Sequence, residues 1–98
     1  MQTKKEEGKL TIFLIGEIDA QNALEVQEEI EEILKTRGDD ELIFDAKELK
    51  YISSAGLRII LSVKKKIKTG ISVINLSTEV LEIFKLAGFQ HLTNIKGA

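Results

Sequence analysis

The chain is 98 residues long, enough for one compact domain with one modest core, and its 43% hydrophobic and 31% charged residues are typical of a soluble globular protein. It has no cysteine, which excludes disulfide scaffolding, thiol catalysis and cysteine-based zinc sites, so the fold must hold by packing. Fourteen basic against sixteen acidic residues leave a formal charge of −2, which gives no general attraction to nucleic acid and leaves partner choice to a local surface.

Residues 1–8 are polar and end at Gly8, and they read as an edge strand or a loose terminus. They lack the apolar centre of a signal peptide, so a cytoplasmic location is the expectation. No apolar run approaches the ~20 residues of a membrane helix. Leu10–Ile15, a nearly continuous apolar run closed by Gly16, reads as a strand buried on both faces or nearly so, with Gly8-Lys9 as the turn before it. Gly16–Asn22 then reads as a loop carrying Glu17 and Asp19 past the strand end. In the helix that follows, Asn22 and Glu25 have the spacing of a capping box, and Ala23, Val26, Ile30, Ile33 and Leu34 form one apolar stripe. Its glutamates come early and Lys35 and Arg37 come last, before Gly38, as the helix dipole and the usual glycine stop favour.

Asp39-Asp40 is a turn and Glu41–Asp45 a second core strand, so strand, helix and strand make a right-handed βαβ unit. Residues 46–53 read as a connecting loop pinned to the core by Leu49 and Ile52. Ser53 or Ser54 caps a helix running from Ala55 to about Thr69, with Leu57, Ile60, Leu61 and Ile67 as its stripe and Ile59 and Val63 widening it. Ala55 and Gly56 leave little side chain around those hydroxyls, which suits close approach of a partner. Lys64, Lys65, Lys66 and Lys68 gather before Gly70. Ile71–Leu76 is a strand, Ser77 caps a last helix bearing Val80, Leu81, Phe84 and Ala87, and Gly88 stops it; Leu92–Ile95 is a short closing strand. The whole chain, 1–98, is thus expected to be a single α/β domain with a small, mixed but mostly parallel sheet covered by amphipathic helices. Ligands meet such sheets beyond the strand C-termini, where Glu17, Asp19, Asp45, Ser53 and Ser54 could share one end.

Enzymatic readings find little support. His91, the one histidine, follows the last helix, and no glycine stands two residues before Ser53 or Ser54 as a nucleophile elbow requires. Glu17, Asp19 and Asp45 leave from separate strand ends, a poor arrangement for a metal, and no Walker-type loop accompanies the helix start at Ser53. The lysines near residue 66 lack interleaved aromatics and suit a helix C-terminus. No cofactor and no metal is therefore expected.

Four segments taken together, Gly16-Glu17-Ile18-Asp19, Leu42-Ile43-Phe44-Asp45, Tyr51-Ile52-Ser53-Ser54-Ala55-Gly56-Leu57 and Phe84-Lys85-Leu86-Ala87-Gly88-Phe89, resemble the bacterial anti-sigma-factor antagonists of the STAS family over almost the whole chain. The resemblance implies a partner-switching protein that binds an anti-sigma factor with serine kinase activity when unphosphorylated. The kinase modifies a serine and a metal-dependent serine phosphatase resets it. The matching acceptor is Ser54, ahead of Ser53, which stands where the family often has aspartate. Asp19 matches an aspartate neighbouring that serine, and Glu17, Asp19, Ser53, Ala55, Gly56, Leu57 and Arg58 form the implied partner-binding surface. Arg58 stands where several relatives have a small residue. The second reading is a STAS-type protein-interaction module, or one that senses a small ligand or nucleotide, that is never phosphorylated.

Overall fold

In the computed structural model, which describes residues 1–98, strands β1 (Thr3–Glu6) and β2 (Lys9–Ile18) form an antiparallel hairpin about a Glu7-Gly8 turn. Helix α1 (Ala23–Leu34), strand β3 (Glu41–Ile52), helix α2 (Ser54–Lys66), strand β4 (Ile71–Leu76) and helix α3 (Thr78–Leu86) follow. A 3-10 turn at Phe89–His91 leads into β5 (Asn94–Gly97). The sheet order is β1-β2-β3-β4-β5, and every pair after the first is parallel. The expected mixed, mostly parallel sheet with helical cover is therefore present.

Side-chain alternation shows which face is covered. Leu10, Ile12 and Leu14 of β2, Leu42 and Phe44 of β3, and Ile71 and Val73 of β4 are buried, whereas Thr11, Phe13, Ile43, Ser72 and Ile74 are only partly so. Each parallel strand lies beside the one before it, and right-handed crossovers in one direction put all the helices on one face. The expectation of a first strand buried on both faces is thus corrected: Ile15, on the other face, is 55% exposed. All 20 buried side chains of the core are apolar, with Phe84 edge-on to Phe89 at 5.2 Å.

The second correction concerns the stretches expected to be loops. β2 continues to Ile18 and β3 to Ile52, and they stay paired throughout, Glu17 with Tyr51 and Ile18 with Ile52. The register slips twice, between Phe13 and Ile15 and between Gly16 and Glu17, each time taking one extra residue on β3. Such bulges break the two-residue alternation. Ala46, Leu49 and Ile52 accordingly all face the core at intervals of three, a spacing that does not read as a strand. Gly16 sits at the second slip with φ +79°, a conformation that glycine adopts freely.

The helices differ in smaller ways. Gly56, Ile59, Ile60 and Val63 make the buried face of α2, with Leu57 and Leu61 flanking it. The helix stops at Lys66 because Ile67 turns to extended backbone and drops into the core. Ala87 is exposed, its expected place taken by Ile83, which packs against the core. The closing strand starts at Asn94 because Phe89 first anchors the 3-10 turn. Lys66 crosses to Glu31 of α1 (Nζ–Oε2 2.8 Å), a hydrogen bond that holds the Glu31 carboxyl below its ordinary range. That tie contributes above the ordinary carboxylate pKa and fades as pH falls through the lowered value.

One-sided cover has a direct test. Ile12→Ala is expected to cost about 2–5 kcal/mol in urea unfolding, and Ile15→Ala, three residues on, about 1 kcal/mol or less.

Candidate functional site

The two-stranded extension of β2 and β3 ends at Ile18 and Ile52, and both chains then turn. Ser53 donates its backbone N–H to Ile18 O at 2.8 Å. This bond joins the start of α2 to the chain just before Asp19. Ser53 is the N-cap, extended at φ −88° and ψ 176°, and its Oγ accepts from Gly56 N at 3.3 Å. Of the two candidate caps, the first serine takes the role. Ser54, the first residue of the helix, is exposed.

Gly56 departs from the expectation that its small size opens the backbone to a partner. It is buried, and a Cβ there would lie 2.6 Å from Ile52 Cγ1 and 2.8 Å from Ile18 Cγ2. The absent side chain lets the first turn of α2 rest directly on the two strand ends. Gly56 therefore shapes the surface from beneath. Ser54 and Arg58 are exposed, while Ala55 and Leu57 are partly so, Leu57 against the core.

The turn from β2 into α1 is held by its own polar side chains. Asp19 Oδ1 accepts from Gln21 N (2.9 Å) and Asn22 N (3.1 Å). Asn22 returns the contact, its Oδ1 accepting from Asp19 N at 2.9 Å and its Nδ2 donating to Glu17 O at 2.8 Å. The capping box expected of Asn22 and Glu25 is not formed, because the Asn22 side chain faces back into the turn rather than toward the helix. Composition showed that these residues favour a turn, but not that they would pair with each other. Glu17 is exposed beside Tyr51 in the ladder.

Asp45 does not join this end. It lies in β3 before the bulges, where Oδ1 accepts from Lys47 N (3.0 Å) and Oδ2 from Asn75 Nδ2 (3.1 Å). The apolar run ends at Asp45, so the residues alone read as a strand end there, whereas pairing with β2 carries the strand on to Ile52. Residues it did not single out are Ala20, Leu24 and Gln27 of the turn and α1. With Ala23, Ala55 and Arg58 they line a shallow depression of about 420 Å³ between the helix starts. Leu24 is 69% exposed there. An apolar residue at the outward position of α1 was the available signal. A larger depression, about 580 Å³, lies between α1 and the end of α2, but it is lined mostly by charged side chains such as Glu28, Glu31 and Lys66. No three acidic or histidine side chains cluster as metal ligands would, and no polar side chain is buried. No helix is long and apolar enough to cross a membrane. The site therefore offers a surface: an exposed hydroxyl, a cation and a small apolar hollow on a rigid corner.

Comparison with known proteins agrees along the whole chain. Residues 1–97 match the family model described as STAS domain. BtrV of Bordetella bronchiseptica, assigned as an anti-sigma factor antagonist, is 32% identical over 88 residues, covering 87% of this chain and 75% of BtrV. Among solved structures, an anti-sigma factor antagonist from Mycobacterium paratuberculosis has a TM-score of 0.88 at 19% identity, covering 99% of this chain and 84% of its own. SpoIIAA in its unphosphorylated form has a TM-score of 0.70 at 18% identity, with 99% and 87% covered. At these identities the structures show the fold.

Gly56→Ala is expected to destabilise the protein by up to about 2 kcal/mol, the roughly 1–3 kcal/mol cost of overpacking Ile18 and Ile52 being offset in part by about 1 kcal/mol gained in helix propensity. Urea unfolding measures the loss.

Proposed function

Because the chain belongs to the STAS domain family, we propose that it acts as an anti-sigma factor antagonist, an interaction protein rather than an enzyme. Unphosphorylated, it binds an anti-sigma factor that is also a serine kinase, and the sigma factor is released. The kinase transfers the γ-phosphoryl group of ATP to Ser54 Oγ; the hydroxyl proton is lost and ADP leaves. A metal-dependent phosphatase hydrolyses the ester and restores the hydroxyl.

The observation that carries this reading is the division of labour between the serines. Ser53 Oγ is engaged by Gly56 N, while Ser54 stands exposed on the first turn. Ser54 can thus be modified without removing the cap. A helix N-terminus accommodates negative charge, so the phosphate, about −1.5 to −2 charges at neutral pH, leaves the fold intact. Its effect falls on the complex, where a dianion would have to be desolvated against a partner surface fitted to a hydroxyl. Glu17, Asp19, Ser53, Ala55, Leu57 and Arg58 form the partner surface in this reading, with Gly56 beneath it. The shallow hollow beside Leu24, with no buried polar side chain to orient a ligand, suits a protein partner better than a small ligand.

With purified kinase partner, Ser54→Asp is expected to weaken binding roughly 10–100-fold with unfolding unchanged, while Ser54→Ala binds normally and takes up no phosphate. Ser53→Ala is expected to lose about 0.5–2 kcal/mol of stability, as a lost N-cap does, and still be phosphorylated. Titration calorimetry, urea unfolding and mass spectrometry of the Tyr51–Arg58 peptide give the three readouts. Phosphate found on Ser53 alone, or equal affinity of the modified and unmodified proteins, contradicts the mechanism.

A further inference from the structure

Arg58 lies four residues after Ser54 on α2, and both are exposed. Residues four apart share a helix face, and helical side chains lean toward the N-terminus. The Arg58 side chain therefore extends back over the first turn, the turn that carries Ser54. Arg58 lines the same depression as Ala55, the residue after Ser54, and as Leu24 of α1, which agrees with that direction.

Arg58 is also unengaged. The ion pairs of the molecule use the N-terminus and Lys4, Lys5, Lys35 and Lys66 as cations, and Arg37 is held by Thr69. Arg58 enters none of them and donates no side-chain hydrogen bond within the chain. A guanidinium left without a partner one turn from an exposed serine is suited to a phosphate, whose oxygens match its planar fork in two parallel hydrogen bonds.

Resting on the phosphoserine reading above, we propose that Arg58 is the internal receiver of the switch: phosphate on Ser54 draws the guanidinium into an ion pair within α2. One modification then changes the surface twice. It adds negative charge at Ser54, and it removes from the depression the cation that lay beside Leu24. The partner loses a contact as well as meeting a repulsion. The pair also ties the first turn of α2 to the second, which keeps the modified helix start ordered.

The test uses the full chain with phosphoserine incorporated at position 54 during translation, so no kinase enters the experiment. A chain that no kinase modifies would still answer it, which separates this proposal from the function it rests on. Phosphorus NMR follows the second ionisation of the phosphate in the wild-type background, in Arg58→Gln and in Arg58→Lys. The wild-type phosphate is expected to titrate roughly 0.15–0.4 of a pH unit below that of Arg58→Gln, the size of an exposed i,i+4 pair, with Arg58→Lys between them. High salt should narrow the difference. Coincident titration curves for wild type and Arg58→Gln, with both proteins folded by circular dichroism, would overturn the proposal.

Discussion

The structure depends on the close approach of one helix turn to two strand ends. At Gly56 the axis of α2 comes so near the sheet that a single methyl group would overlap Ile18 and Ile52. The backbone bond from Ser53 to Ile18 closes the same contact from the other side. Between them they hold a serine-bearing helix start against the end of β2 and beside the turn at Asp19. A surface built on such a corner is presented with little loss of conformational freedom when a partner binds.

That contact exists because β2 and β3 run on together beyond the rest of the sheet. β4 pairs with β3 only from Leu42 to Asp45, while β2 and β3 stay paired to Ile18 and Ile52. The two bulges let β3 keep Ala46, Leu49 and Ile52 on the covered face while its chain advances two residues farther than β2. Extra twist at bulges also re-aims the strand ends. The polar work is left to the turn, where Asp19 and Asn22 satisfy each other's backbone groups without a contribution from the core.

One face of the sheet carries the helices and the other carries none. The core of 20 residues is all apolar and no polar side chain is buried, so the polar groups of the corner lie outside the packing. Stability comes from the covered face. In the proposed function recognition belongs to the corner above it, where a change of charge at Ser54 would alter a surface and leave the packing beneath unaltered.

Much of this was legible in the residues. The helices, Ser77 as a cap, the glycine stop at Gly88 and the βαβ order follow from local periodicity and from groups that satisfy backbone donors nearby, because these are short-range forces. The exposed Ser54 also followed, although the choice of Ser53 as cap did not, since either hydroxyl has the right chemistry. What the sequence could not determine is non-local. The spacing of Ala46, Leu49 and Ile52 means a strand only when β2 supplies the opposing register. Gly56 reads as an opening for a partner until Ile18 and Ile52 are seen against it. Asp45 belongs to the site only if the strand ends there, and it does not. Chain-local chemistry determined which segments are helices and where the hydroxyls stand; pairing between distant segments decided which face is covered, where the strands end and which small residue is buried, because those depend on atoms brought together only by folding.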